Sequence, residues 1–450
     1  MTTKTPVGKA LLISGATVVD PAQKIHKKMD VLFQNGLVAA LGKPGELKAK
    51  AKAAKAIEID ATGLVLAPGF IDLNTHICEP GAEHLESFVT GSAAAAAGGF
   101  TSLAVMPSST PVNDNAFMTD FILRRAQENS SVRIFPIGAT SAAREGKKLA
   151  EIGSMAEAGA KAVSDAGKSI SDSYLMRKAL EYTRAFSLPV FSYAEDSYLF
   201  GNGVMGECIH SNRLGLRGIP AAAEEIMVAR DIVLARHTKG RLHFSSISTK
   251  GAVAAIRAAK KEGLAITAET NPHYFSLTID VISSYDANYK CFPPLRDQED
   301  VDALVAGLAD GTLDCIATNH TPQSMASKSL SFEAAAAGMI GLETAFPLSL
   351  ELVRKKKISL DRLVEVLSLH PAKILSEEKH LGSLRVGFAA DAVLLDLEHK
   401  FTYESAQVRS ASRNTPFIGQ KFQGIVHTTF VNGTMVHQSS GIKKGARGKA

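Results

Sequence analysis

The chain has 450 residues, 45% of them hydrophobic and 21% charged, with a formal net charge of +5. That is ample sequence to bury a large core, and it excludes wholesale disorder. Much of the positive excess sits in Lys48, Lys50, Lys52 and Lys55 and in Lys443, Lys444, Arg447 and Lys449. No aromatic residues interleave with these lysines and arginines, so they read as solvated segments and no nucleic-acid partner is expected. The four cysteines (Cys78, Cys208, Cys291, Cys315) contain no C-x-x-C pair, which points to reduced thiols. Met1 to Ala10 has no apolar stretch before a small-residue cleavage site, and no apolar run reaches membrane-spanning length. A cytoplasmic protein without a membrane partner is the expectation.

In chain order, the first elements are short and β-like. Leu11-Leu12-Ile13 and Val31-Leu32-Phe33 are apolar runs divided by turn signals at Gly15, Asp20-Pro21 and Asn35-Gly36, and they predict hairpins. The lysine-rich stretch from Lys48 to Lys55 reads as a loop. From Pro68 onward, strand-like runs at Ser102–Met106, Val132–Phe135, Pro189–Phe191 and Leu264–Thr267 alternate with longer helical segments. One helix is predicted over Ala221 to His237, with Ile226, Ala229, Ile232, Val233 and Ala235 as its apolar side. An Ala-rich helix covers Ala93 to Ala97. Such alternation predicts βα units around a parallel sheet, and about 300 residues of it suffice for a (β/α)8 barrel. After Leu384 the helical period fades into strands at Ala392–Leu395 and Val426–Val436, with Asn432-Gly433 as a hairpin turn. The expected organisation is one composite β domain from residues 1–67 and 384–440, a barrel over 68–383, and a basic flexible tail at 441–450.

Barrels of this class carry their chemistry at the C-terminal ends of the strands. The first such position, Pro68-Gly-Phe-Ile-Asp-Leu-Asn-Thr-His-Ile-Cys-Glu-Pro-Gly81, resembles the dihydroorotase opening motif P-G-F-x-D-x-H-x-H-x-R-E-P-G. Further matches run in order through Gly98–Thr101, Glu195-Asp196, Gly218–Pro220, Ser248–Lys250, Pro293–Arg296, Gly341–Pro347 and Asn414–Phe417. The resemblance extends from about Leu11 to Val436. It implies the amidohydrolase fold, an α/β architecture with a TIM-type barrel and a small β domain built from both termini. It also implies reversible cyclisation of N-carbamoyl-aspartate, driven by one or two zinc ions held by histidines and carboxylates.

The departures from that pattern concentrate at the site. Asn74 and His76 stand where the family has an H-x-H pair, and a neutral amide is a poor zinc ligand beside imidazole. Tyr193 and Ser246 occupy two more ligand-histidine positions. Asn319, within Thr318-Asn-His-Thr-Pro-Gln323, replaces the aspartate that serves as general base. Only His76 and Asp165 remain of the alignable metal set, short of the three protein ligands a catalytic zinc needs. On the substrate side, Cys78 replaces the arginine that clamps a carboxylate, Ser108 and Phe292 replace asparagines, and Gln323 replaces a histidine. His76, His273 and His320 read as hydrogen-bonded core residues. A nucleophilic role for Cys78 is the less favoured alternative.

These losses predict a catalytically inactive homologue, a pseudoenzyme without a metal cofactor. The resemblance then implies a structural or regulatory subunit in pyrimidine biosynthesis, associated with aspartate carbamoyltransferase as a homo- or hetero-oligomer. Two rivals stand beside it. One is a metal-independent or differently liganded cyclic-amide or ureide hydrolase that reuses the pocket through Cys78, Tyr193, Ser246 and Asn319. The other is a self-assembling, non-enzymatic scaffold.

Overall fold

The structure is a computed structural model that describes residues 9–439. The tail expected at 441–450 lies outside the described residues. In chain order the strands are β1 (Leu11–Asp20), β2 (Ile25–Gln34), β3 (Leu37–Gly42), β4 (Ile57–Asp60), β5 (Val65–Pro68), β6 (Phe70–Thr75), β7 (Phe100–Val105), β8 (Arg133–Gly138), β9 (Ala162–Ser164) and β10 (Val190–Tyr193). There follow a small pair, β11 (Met205–Gly206) and β12 (Gly218–Ile219), and then β13 (Leu242–Ser245), β14 (Ile266–Thr270), β15 (Cys315–Ile316), β16 (Ala392–Thr402), β17 (Lys421–Val431) and β18 (Thr434–Gln438).

Eight of these strands run parallel in the order β15-β14-β13-β10-β9-β8-β7-β6. Every residue of β6, β7 and β10 is buried, so both faces of these strands are covered, and the polar Asp72, Asn74 and Thr75 of β6 point into the protein beside its apolar residues. A parallel bridge from Thr75 to His320 joins the first strand to the segment after the last, completing the expected (β/α)8 barrel.

The second sheet has the order β18-β17-β16-β5-β1-β2-β3, with β4 on β1. Here β5 pairs parallel with β1 and antiparallel with β16, so both ends of the chain share one sheet. Its two Asn-Gly turns carry positive φ at both central residues, 54° and 78° at Asn35-Gly36 and 47° and 70° at Asn432-Gly433. That is the geometry which suits a two-residue hairpin to the strand twist.

Three local readings are corrected. Gly15 does not separate strands; it sits inside β1 at a register shift between Ile13 and Ala16, with φ +75°. The Lys48–Lys55 stretch is not all loop, because Lys48–Ala53 forms a short helix that buries Ala51. The long helix is Ala222–Thr238, and its inner face is Ala223, Met227, Val228, Ile232 and Ala235, with Ile226 and Val233 more than half exposed. Its face is turned because Glu224 and Asp231 also point inward, each satisfied by partners: Glu224 by Ser248 and Thr249, Asp231 by Ser192 and Arg230. Among the described residues no helix is long and apolar enough to cross a membrane.

The helix Ala345–Arg354 packs on β17 and ties the barrel to the sheet. Gly424 in β17 has φ +98°, and a Cβ there would collide with Leu350 Cδ2. Gly424→Ala should therefore lower stability by about 2–3 kcal/mol. Gly45→Ala, at φ +85° with open space around it, should cost only about 1 kcal/mol. Urea unfolding midpoints of the two variants compare them directly.

Candidate active site

The C-terminal strand ends open on a cavity of about 160 Å³. Asn74, His76, Tyr193, Ser246, Phe292 and Asn319 all line it, whereas Cys78, Ser108, Asp165 and Gln323 do not. A larger cleft, of about 1030 Å³, lies where the barrel meets β16 and β17; it is lined by Lys355, Phe401 and Lys421 and holds none of the positions singled out from sequence. We place the chemistry in the smaller cavity because convergent polar groups, not volume, mark a reactive site.

Three lining residues hold left-handed backbone conformations: Ala166 (φ 31°), Ser246 (φ 58°) and Asn319 (φ 48°). Each sits just past a barrel strand, where a non-glycine residue is costly to hold in that region. Such strain at a strand end re-aims the following segment over the cavity.

The side chains form defined pairs. The Asn74 amide donates to Ser246 Oγ at 3.1 Å and to Glu269 Oε1 at 2.9 Å. His76 Nδ1 lies 2.7 Å from Ser108 Oγ, so Ser108 acts from behind the lining. Burial, helped by the Arg144 charge, holds the His76 pKa down to about 3, and the ring is neutral. Asp165 is fully engaged, accepting from the Thr140 and Ser141 amides at 3.0 and 2.9 Å and from the Ser141 hydroxyl. Asn319 Nδ2 donates to the Phe292 carbonyl at 3.3 Å, and the Phe292 ring packs edge-on against Phe200. Gln323 donates to the Ala337 carbonyl. Burial and the nearby Glu86 and Glu83 push the Cys78 thiol up to about 12, which leaves it protonated and unsuited to attack.

Two groups do more than the sequence reading gave them. Tyr193 donates its hydroxyl to Glu195 Oε2 at 2.8 Å, and burial raises the Glu195 pKa to about 7 despite that hydrogen bond. This puts a proton-exchanging carboxyl one bond behind the cavity wall, at the value general acid–base chemistry favours. The spacing of two residues made the pair visible in principle. The second group is His273, which is not a satisfied core residue. Burial holds its pKa down to about 3 and its Nε2 has no partner, as is also true of Ser245 Oγ; both residues line the cavity. By contrast His320 lies 3.1 Å from Glu86 and accepts the Gly341 amide.

The cavity offers two imidazoles, His76 and His273, but no carboxylate or further histidine beside them, and Asp165 lies outside the lining with both oxygens engaged by Thr140 and Ser141, so this layer falls short of the three ligands a zinc ion needs. Beneath Asn74, however, His243, Glu269 and Cys315 place their ligand atoms within 4.8 Å of one another. This group corrects the expectation of a chain without a metal cofactor. The ligand-capable side chains are there, but on strand positions outside the ligand set that the resemblance implies.

A family model described as dihydro-orotase-like matches residues 63–252. A protein of Geotalea daltonii named dihydroorotase is 45% identical over 428 residues, covering 95% of this chain and 99% of its own. One of Geobacter sulfurreducens with the same name is 45% identical over 427 residues, with 95% and 99% covered. Among solved structures, the L-hydantoinase (dihydropyrimidinase) from Arthrobacter aurescens superposes with a TM-score of 0.85 at 25% identity, covering 95% of this chain and 96% of that one. Full-length relatives named for an enzyme overturn the expectation of an inactive, pseudoenzyme subunit. The physical reason for the error is that replaced ligands do not empty a pocket. The cavity keeps neutral imidazoles, strained strand ends and an acid–base pair.

The raised Glu195 pKa has a sign in stability. Between about pH 4.5 and 7 the folded carboxyl keeps its proton while the unfolded one has lost it, so this group lowers stability as pH rises through that window. The loss is about 1.4 kcal/mol per pH unit at most. Glu195→Gln should remove this contribution, so the stability difference, variant minus wild type, should grow from pH 5 to 7 in parallel urea titrations.

Proposed function

Because this chain belongs to the dihydroorotase-like family, we propose that it is a hydrolase of cyclic amides, with dihydroorotate the first substrate to try, acting at the barrel-mouth cavity. The observation that carries the reading is the Tyr193–Glu195 pair, in which Tyr193 lines the cavity and the carboxyl behind it is raised to about 7. The near full-length similarity to proteins named dihydroorotase supports the substrate class.

Opening a cyclic amide adds water oxygen to the carbonyl carbon, breaks the ring C–N bond and delivers a proton to the leaving nitrogen. Tyr193 would pass its hydroxyl proton to Glu195 as it takes one from the attacking water, a concerted step because burial keeps the phenol pKa well above its usual value. The same pair would return the proton to the nitrogen, and ring closure would run these transfers in reverse. His273 Nε2, Ser245 Oγ and the Asn319 amide supply hydrogen-bonding groups for the ring. None of the residues lining the cavity is an aspartate, glutamate, lysine or arginine, so orientation rests on neutral groups. No step here runs through an ion at the strand ends.

Turnover of dihydroorotate, dihydrouracil and hydantoin, followed as ring-opened product, tests this. Tyr193→Phe should lower kcat about 100- to 1,000-fold. Glu195→Gln should abolish the pH-profile limb near pH 7. Wild-type protein that opens none of these rings would contradict the proposal, as would undiminished kcat in Tyr193→Phe.

The resemblance also supports a cytoplasmic assembly with aspartate carbamoyltransferase, a proposal independent of activity. Co-elution of the two purified chains in size-exclusion chromatography is the expected result, and separate elution at low and moderate salt would contradict it.

A further inference from the structure

We propose that His243, Glu269 and Cys315 bind one divalent ion of the zinc class inside the barrel, a layer below the cavity. All three side chains are fully buried, and they come from adjacent strands. Glu269 is the register partner of Cys315 across β14 and β15, and His243 pairs with Thr267 across β13 and β14. Their donor atoms lie within 4.8 Å of one another, and the His243 Nε2 to Glu269 Oε2 distance is 3.2 Å. Tetrahedral zinc sets its ligands about 3.3–3.8 Å apart, so side-chain movement of about 1 Å closes the set.

The surroundings suit an ion. His243 Nδ1 is 2.9 Å from Thr267 Oγ1, which fixes the ring with Nε2 toward Glu269. A metal-bound histidine needs that kind of partner on its other nitrogen. The second Glu269 oxygen accepts from Asn74 at 2.9 Å. A second fully buried carboxylate, Asp72, lies close enough to Glu269 for its charge to be felt. A dication bound by one thiolate, Cys315, and one carboxylate, Glu269, with the neutral His243 imidazole, makes an overall neutral centre, which suits a buried site. Sulfur and imidazole donors select zinc-class ions over magnesium or calcium.

The role follows from the depth. With every ligand at zero exposure, the ion is enclosed by the barrel wall and is taken up as the protein folds. It holds Glu269 in place, and through Glu269 it holds Asn74, which donates to the Ser246 hydroxyl at the cavity floor. It is a positioning ion distinct from the strand-end layer, where His76 is paired with Ser108.

The test reads metal content and spectrum, separately from turnover. Protein grown with zinc or cobalt is assayed by plasma mass spectrometry, and the cobalt form by near-ultraviolet absorption for a thiolate-to-cobalt band. About one ion per chain together with that band is expected. Cys315→Ser should remove the band and lower metal content at least about tenfold, while His76→Ala should keep both. Wild-type protein that stays metal-free under both supplies overturns the proposal. So does bound cobalt without a thiolate band, or metal lost on His76→Ala. Should Cys315→Ser fail to fold, the wild-type band decides.

Discussion

The architecture depends on one buried carboxylate. Asp72, on the first barrel strand, accepts the Thr318 amide and the Thr318 hydroxyl, each at 2.7 Å, and also the Thr75 hydroxyl. These bonds stitch the beginning of the barrel to its end, beside the single bridge from Thr75 to His320. An eight-stranded parallel sheet must close with its register fixed, and here a fully buried acid with three donors does that. Burial raises the Asp72 pKa on balance, while the threonine hydrogen bonds pull against the shift. Because Asn74 and His76 follow Asp72, and Asn319 follows Thr318, the same closure brings both ends of the barrel to one cavity.

From that closure the layers of the site follow. At the strand ends lies a neutral cavity walled by Asn74, His76, Tyr193, Ser246, His273 and Asn319. Behind its wall sits Glu195, whose carboxyl is near neutrality because burial outweighs its hydrogen bond. Below it lie Glu269, His243 and Cys315, tied to the cavity by the Asn74 amide. Each layer is set by strand register, so a side chain two residues along a strand lands one layer away on the same face.

Much of this was legible in the sequence. The continuous apolar runs at β7, β8 and β10 announce strands buried on both faces, and the two Asn-Gly dipeptides fix hairpins whose backbone only such residues adopt readily. Six of the singled-out site positions do meet in one cavity. What misled was equating the identity of aligned ligands with the presence of chemistry. Tyr193 taken alone reads as a lost ligand histidine, and only its bond to Glu195 shows what it can do. His243, Glu269 and Cys315 lie in separate stretches of the chain, and nothing in their spacing reveals that neighbouring strands align them. The helix Ala222–Thr238 misled for a related reason: its inward acids are satisfied by loop amides and hydroxyls that periodicity does not see.

The central claim is that this cavity opens a cyclic amide with water. The most direct measurement incubates the protein with dihydroorotate in oxygen-18 water and follows the ring-opened product by mass spectrometry. The account predicts heavy oxygen in the product's new carboxylate, with label appearing far more slowly in Tyr193→Phe than in wild type. Label that never rises above the level seen with heat-denatured protein would contradict it.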